Sequence, residues 1–373
     1  MTENMTLLIN GDRAFPEIIR TIENAKKSVD INMFIWRDDE IGNRMAEAVL
    51  HAADNGAKVR ISIDRYGVVL EKCEECKRSF FHKRQTVSET LTILGLELFY
   101  PKNGRRGKVT DVETSLYRRI LAHPNIEVSE DVFKADHSKW YMIDEEILFL
   151  GGVNVEDKEN GCDINGNVYG DYMAMLRGRE FVEMFRKKLD TGRNVSEDVF
   201  FGINRKTPER RFEMEGLYLD LIREATSSLH ITMAYFSPLP QFTKALIDAH
   251  NRGVRVTIVV PEHANFQNDS NRRMVRKLLK ATDGRMEIYF SPKMLHTKLV
   301  MNDRYISFGS TNITKKAFHQ LDELNLFVKQ DDSAFVKAMQ NSVAEDIGTA
   351  RRVCRYQDVR YNRLMAFAES FMV

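Results

Sequence analysis

The chain has 373 residues, 43% of them apolar, and a formal net charge of +1. That length holds two domains, or two fused halves, with a sizeable core, and the near-neutral charge argues against a protein built mainly to coat nucleic acid. Four cysteines (Cys73, Cys76, Cys162 and Cys354) are too few for a disulfide scaffold and fit a reducing, cytoplasmic setting.

Residues 1–10 lack the charged-then-apolar pattern of a leader peptide. No run approaches the ~18 apolar residues of a membrane span, so a lipid substrate would be met from the membrane surface. Phe15, Ile18, Ile19, Ile22 and Ala25 recur at helical spacing and mark one buried face. Residues 29–36 read as a strand. Residues 39–53 read as a helix, capped by Asp38 or Asp39 and ended by Gly56, and 59–63 as a second strand. Strand-helix-strand order favours a parallel sheet covered by helices.

The same order returns. Residues 25–31 (AKKSVDI) are echoed by 225–231 (ATSSLHI), and 55–60 (NGAKVR) by 252–257 (RGVRVT). The spacing predicts a first half over 1–189, a polar linker over 190–209 holding Gly192, Gly202 and Pro208, a second half over 210–348 and a tail over 349–373. Within the first half, the basic, Gly-rich stretch 102–108 (KNGRRGK) opens a poorly patterned insertion over about 101–130, read as surface or as part of a site entrance.

The chemistry is carried by a repeated pattern. His137, Lys139 and Asp144 form H-x-K-x4-D, and so do His296, Lys298 and Asp303. The first copy leads to Gly151-Gly152-Val153-Asn154, the second to Gly309-Ser310-Thr311-Asn312, with one residue fewer in between. Flanking apolar runs predict a hairpin at each copy, the second one residue tighter. Residues i and i+2 of a strand share a face, so each His points the same way as its Lys. The glycines let backbone approach an anion, and Asn154 and Asn312 offer amide donors. A single H-x-K would read as ordinary strand residues; two copies with matching flanks do not.

Two imidazoles, two ammonium groups and two amides suit a phosphodiester. One His can attack phosphorus to give a phosphohistidine. The other can protonate the leaving oxygen and then activate water or an alcohol. Lys139, Lys298, Asn154, Ser310 and Asn312 can hold the non-bridging oxygens as charge builds. The scheme needs no metal and no cofactor.

The duplicated H-x-K-x4-D with its downstream G-[GS]-x-N resembles the phospholipase D superfamily. Residues 34–42 (FIWRDDEIG), with an aromatic-R-D-D-x-x-G stretch, are similar to bacterial cardiolipin synthases. The resemblance runs over about residues 7–346, leaving about 102–130 unaccounted for. It implies a mixed or parallel α/β fold of two similar halves flanked by helices, with the active site at their junction, and phosphatidyl transfer through a phosphohistidine. It also implies that Asp171 and Glu323 orient the histidines, that His137 is the nucleophile and His296 the acid, and that Asp144 and Asp303 are structural ion-pairing groups. Departures are the lack of N-terminal membrane segments, Asp136 where Asn is common, and Tyr169 where Trp is usual. A carboxylate at Asp136, if close, would favour protonated His137.

The implied substrate is a phospholipid, phosphatidylglycerol in the first instance, reached by a peripheral protein at the inner face of the membrane. The same residues would serve a phospholipase D-type hydrolase or a metal-independent nuclease, in which Arg105 and Arg106 could grip phosphates; a lipid-binding scaffold with a relic site fits poorly with two intact motifs. Cys73-x-x-Cys76, near His82, lacks a second pair to complete a metal site. Asn312-Ile313-Thr314 fits a glycosylation triplet, but Asn312 has the better role at the site. Arg351, Arg352, Arg355, Arg360 and Arg363 precede Leu364, Met365, Phe367, Phe371 and Met372, a tail that either rests on anionic lipid or packs on the body.

Overall fold

The computed structural model describes residues 2–73, 79–81, 86–96, 113–130, 134–161, 168–206 and 210–372. The stretch 102–108, Cys76, His82, Cys162 and Pro208, and the side chains of Phe371 and Met372, lie outside the described residues. The chain forms two compact units, Asn4–Arg186 and Lys187–Val373, the second joined by Met1–Glu3.

In the first unit the strands are β1 (Met5–Ile9), β2 (Ser28–Met33), β3 (Lys58–Ile63), β4 (Ile126–Ser129), β5 (Lys139–Ile143), β6 (Ile147–Gly151), β7 (Tyr169–Gly170) and β8 (Tyr172–Arg177). The helices are α1 (Gly11–Glu23), α2 (Glu40–Asp54), α3 (Arg65–Cys73), α4 (Val87–Leu96), α5 (Ser115–Ala122) and α6 (Arg179–Thr191), the last running on into the second unit. Seven strands form one mixed sheet in the order β1-β8-β6-β5-β2-β3-β4. Strands β2, β3 and β4 run parallel, while β5 returns antiparallel beside β2. The predicted face of α1 is the buried one: Phe15, Ile18 and Ile22 are fully covered and join the core with Val49, Val59 and Tyr141. Asp39 caps α2 by accepting from the Gly42 N–H at 3.0 Å.

The second unit repeats this plan with β9 (Val199–Arg205), β10 (Arg211–Phe212), β11 (Ser228–Met233), β12 (Arg255–Pro261), β13 (Glu287–Ser291), β14 (Met294–Leu295), β15 (Lys298–Asn302), β16 (Tyr305–Gly309), β17 (Glu323–Lys329) and β18 (Arg351–Val353). Its helices are α7 (Met214–Glu224), α8 (Pro240–Asn251), α9 (Asn268–Ala281), α10 (Lys315–His319), α11 (Ala334–Thr349) and α12 (Arg363–Met372). The sheet order is β10-β9-β17-β16-β15-β11-β12-β13-β18. Removing β10 and β18 leaves the order of the first sheet, strand for strand. The echoed segments thus carry the same job. Gly56 and Gly253 both sit at positive φ, +94° and +91°, and let Ala57 N–H and Val254 N–H turn back to the helix just ended.

Two stretches differ from the sequence reading. Residues 199–205, within the polar segment read as a linker, form β9, whose Val199, Phe201 and Ile203 are buried against β17. Residues 115–129, read as insertion, supply α5 and β4, and β4 extends the parallel part of the sheet beyond β3. The tail is built into the second unit. Strand β18 pairs with β13, and α12 lies along α9, where Glu369 accepts the Ser270 N–H at 2.7 Å.

Candidate active site

Each H-x-K motif lies at the mouth of a hairpin in the middle of its sheet. Lys139 opens β5, held between β2 (Asn32 opposite Trp140) and β6 (Lys139 opposite Gly151). Lys298 opens β15 in the same way, between β11 and β16. His137 and His296 stand just before these strands, at 9% and 6% exposure, and both lysines are fully buried. Each lysine curls back so that its ammonium donates to the carbonyl of its own histidine. That contact aligns an ammonium with the backbone that aims the imidazole. The predicted hairpin lengths hold: three residues (144–146) link β5 to β6 and two (303–304) link β15 to β16.

In the first unit, Phe34 follows β2 and meets the side chains of both His137 and Lys139. Its ring lies edge-to-face with the His137 imidazole at 4.7 Å between centroids, and the Lys139 ammonium sits 5.1 Å from the ring centre. The backbone before His137 is pinned by Asp64, which accepts the N–H groups of Tyr66, Lys134 and Asp136. The Asp136 carboxylate is turned to Ser138, accepting its N–H at 2.9 Å and its hydroxyl at 2.5 Å. In the second unit Ala234 takes the position of Phe34. The aromatic ring near His296 is that of Tyr235, at 6.3 Å, whose hydroxyl donates to Asn265 Oδ1 at 2.8 Å. Sequence reasoning missed Phe34 and Tyr235 as neighbours of the histidines; their place next to the strand paired with each motif was the available signal.

The downstream motifs have structural work of their own. A Cβ on Gly151 would lie 2.1 Å from the Tyr172 carbonyl, and one on Gly152 would lie 2.2 Å from the Asp171 carboxylate. The glycines, read as room for an anion, here make room for β8 and Asp171. Asn154 is buried, and its Oδ1 makes no hydrogen bond among the described residues. Asn312 is buried too, with its Oδ1 accepting the Tyr235 N–H at 3.3 Å. The Ser310 hydroxyl donates to the buried Glu323 carboxylate and accepts the Leu324 N–H at 2.9 Å. Ser310, read as a phosphate contact, thus holds Glu323. Asn325 backs this corner by donating to the Tyr218 hydroxyl at 2.8 Å and accepting the Thr311 N–H at 3.1 Å.

Asp144 and Asp303 complete the motif but sit at the opposite end of the strand, seven residues or roughly 20 Å from each histidine. Asp144 accepts the N–H groups of Lys26, Lys27 and Ser28, and Asp303 those of Thr226, Ser227 and Ser228. Burial alone would raise both carboxyl pKa values, but these hydrogen bonds outweigh it and hold both below the usual carboxylate range. They tie the hairpin to the start of β2 and β11. Where the resemblance implies ion pairs, the structure has hydrogen bonds: backbone N–H groups on both carboxylates and, on Asp303, the hydroxyls of Ser227, Thr226 and Ser228 as well.

Residues 34–42 are a clamp on the segment that carries Asn154. Arg37 N–H donates to the Val155 carbonyl at 2.9 Å, and its guanidinium pairs with the buried Glu156 at 2.6 Å. Lys158 joins the same carboxylate at 3.2 Å, and Asp39 accepts the Asp157 N–H at 2.8 Å. Gly42 is required because a Cβ there would lie 1.8 Å from the Arg37 carbonyl.

Repeated α/β units, each presenting a buried His-Lys pair at the start of a central strand, define the phospholipase D class of fold. The family described as "Cardiolipin synthase, PLD-like domain" matches residues 18–191 and 218–347, and the chain belongs to this family of the phospholipase D superfamily. Among its relatives, cardiolipin synthase B of Escherichia coli K12 is 24% identical over 345 residues, covering 86% of this chain and 75% of the relative. The cardiolipin synthase of Oceanobacillus iheyensis is 26% identical over 369 residues, covering 94% and 70%. The crystal structure of phosphatidylserine synthase from Haemophilus influenzae has the same fold, with a TM-score of 0.69 at 14% identity over 99% of this chain and 92% of that one.

Proposed function

We propose that the chain is a phosphatidyltransferase of the cardiolipin synthase type, acting on phosphatidylglycerol at the membrane surface. The observation that carries the reading is the pair of buried His-Lys motifs, each with its lysine folded onto its histidine. The His137 imidazole attacks the phosphorus of the donor lipid, and a P–N bond replaces the P–O bond to the headgroup alcohol. His296 gives its proton to the departing oxygen. It then takes a proton from the hydroxyl of a second phosphatidylglycerol, whose oxygen attacks phosphorus and frees His137. Lys139, Lys298, Asn154 and Asn312 stabilise the oxygens on which charge builds. Asp171 and Glu323 orient the two imidazoles, with Ser310 steadying Glu323.

The test is product analysis with the purified chain and phosphatidylglycerol vesicles. Cardiolipin and free glycerol in equal amounts are expected. Phosphatidic acid as the sole lipid product, unchanged by added glycerol, would make the protein a hydrolase. No turnover of any phospholipid would end the proposal.

A further inference from the structure

Asp64 stands at the end of β3, 3% exposed, outside both H-x-K motifs. Its carboxylate gathers three backbone N–H groups: those of Tyr66 at 2.8 Å, Lys134 at 3.3 Å and Asp136. The last two flank Ala135, which is buried and held at φ +59°. A residue with a Cβ is strained in that left-handed region, and the conformation persists only where its surroundings impose it. N–H groups that converge from a turn of this kind make a seat for an anion. Here the anion is a side chain of the same unit, and the turn that it fixes leads straight into His137.

The turn that carries Asp64 also bears on the ring beside His137. Gly67 N–H donates to the Asp64 carbonyl at 3.1 Å, and a Cβ on Gly67 would lie 1.9 Å from the Phe34 carbonyl. The ring of Tyr66 lies 6.1 Å from that of Phe34. Asp64 thus links the segment that brings in His137 to the residue whose ring meets it. The second unit differs at this place. Asn32 pairs with Ser62 and Thr232 with Val259, and two residues further on stand Asp64 and Pro261. Proline offers no side-chain acceptor. We infer that Asp64 is a positioning residue for His137, setting the imidazole through the backbone of residues 134–136. The inference rests on His137 being the attacking group, as proposed above.

The experiment uses the full chain carrying isotopically labelled histidine, read by NMR, beside turnover of phosphatidylglycerol. The His137 and His296 signals are assigned from His137→Asn and His296→Asn. Asp64→Ala should lower kcat about a hundredfold, the loss that follows from misplacing a reacting group by about 1 Å, with KM little changed. Asp64→Asn keeps one acceptor oxygen and should fall between the parent and Asp64→Ala; it keeps the test alive if the alanine variant does not fold. In both, the His137 imidazole signals should shift or broaden more than those of His296. Arg65→Ala breaks the 2.6 Å pair with Glu89 one residue along, and should lower the urea midpoint without moving kcat or the His137 signals. Parental kcat in a folded Asp64 variant, or His137 signals that the substitution leaves in place, would overturn the inference. So would an equal loss of kcat in Arg65→Ala, which would make the effect one of general destabilisation. If the parent turns over no phospholipid yet Asp64→Asn displaces the His137 signals, the positioning role stands and the proposed activity falls.

Discussion

Gly152 lies against Asp171: a Cβ at position 152 would come within 2.2 Å of one carboxylate oxygen and 2.5 Å of the other. The carboxylate is buried and also accepts the Tyr172 N–H at 2.8 Å, so it has little room to withdraw. The second unit handles the same corner differently, with Ser310 donating to Glu323. One half leaves space for its acidic residue and the other grips it.

Gly152→Ala should therefore displace Asp171. Overpacking of this kind costs about 1–3 kcal/mol, visible as a lower urea midpoint, and turnover should fall further than stability alone explains. A Gly152→Ala protein with parental midpoint and turnover would show that the close approach has no consequence.

Asp144 and Asp303 make an acid-side prediction. Their folded pKa values lie below the unfolded ones, so the stability they add is fully present above pH ~4 and is lost as pH falls through the folded values. Asp303→Asn should cost about 1–2 kcal/mol at pH 7, the usual loss for a side-chain acceptor of backbone N–H groups. The variant should also lose less stability than the parent on acidification below pH 4. Parallel stability-pH curves for the two proteins would contradict the assignment.

Glu156 holds two cations away from water, Arg37 at 2.6 Å and Lys158 at 3.2 Å. Burial pushes the neighbouring Glu71 carboxyl up to about 7, so that group is a weak substitute partner near neutral pH. Glu156→Ala should cost about 3–5 kcal/mol by stranding buried charge. Changing Arg37 to Met in the same chain should recover part of that loss. Additive costs in the double variant would mean the pair is not coupled.

Much of the site could be read from sequence because its signals are local. A strand period of two places His137 with Lys139 and His296 with Lys298, and the burial of all four agrees. The echo around Gly56 and Gly253 was readable because both end a helix at positive φ. What stayed hidden depends on contacts distant in sequence. Phe34 reaches His137 only because β2 pairs with β5, more than a hundred residues later. Strand β9 reads as linker because polar Gly192–Asp198 precedes it and Gly202 interrupts its apolar alternation; that glycine lies close to Met214 and Phe327. The crowding at Gly151 and Gly152 stayed hidden because the groups against them, the Tyr172 carbonyl and the Asp171 carboxylate, lie about twenty residues further on.

The central claim is that both histidines are needed for one phosphatidyl transfer. The most direct measurement is phosphatidylglycerol turnover by His137→Asn and His296→Asn, each with circular dichroism and a urea midpoint. The account predicts at least a roughly thousandfold loss in each variant, near the upper range for removing an essential nucleophile or acid, with the fold retained. Parental turnover in either folded variant would contradict it.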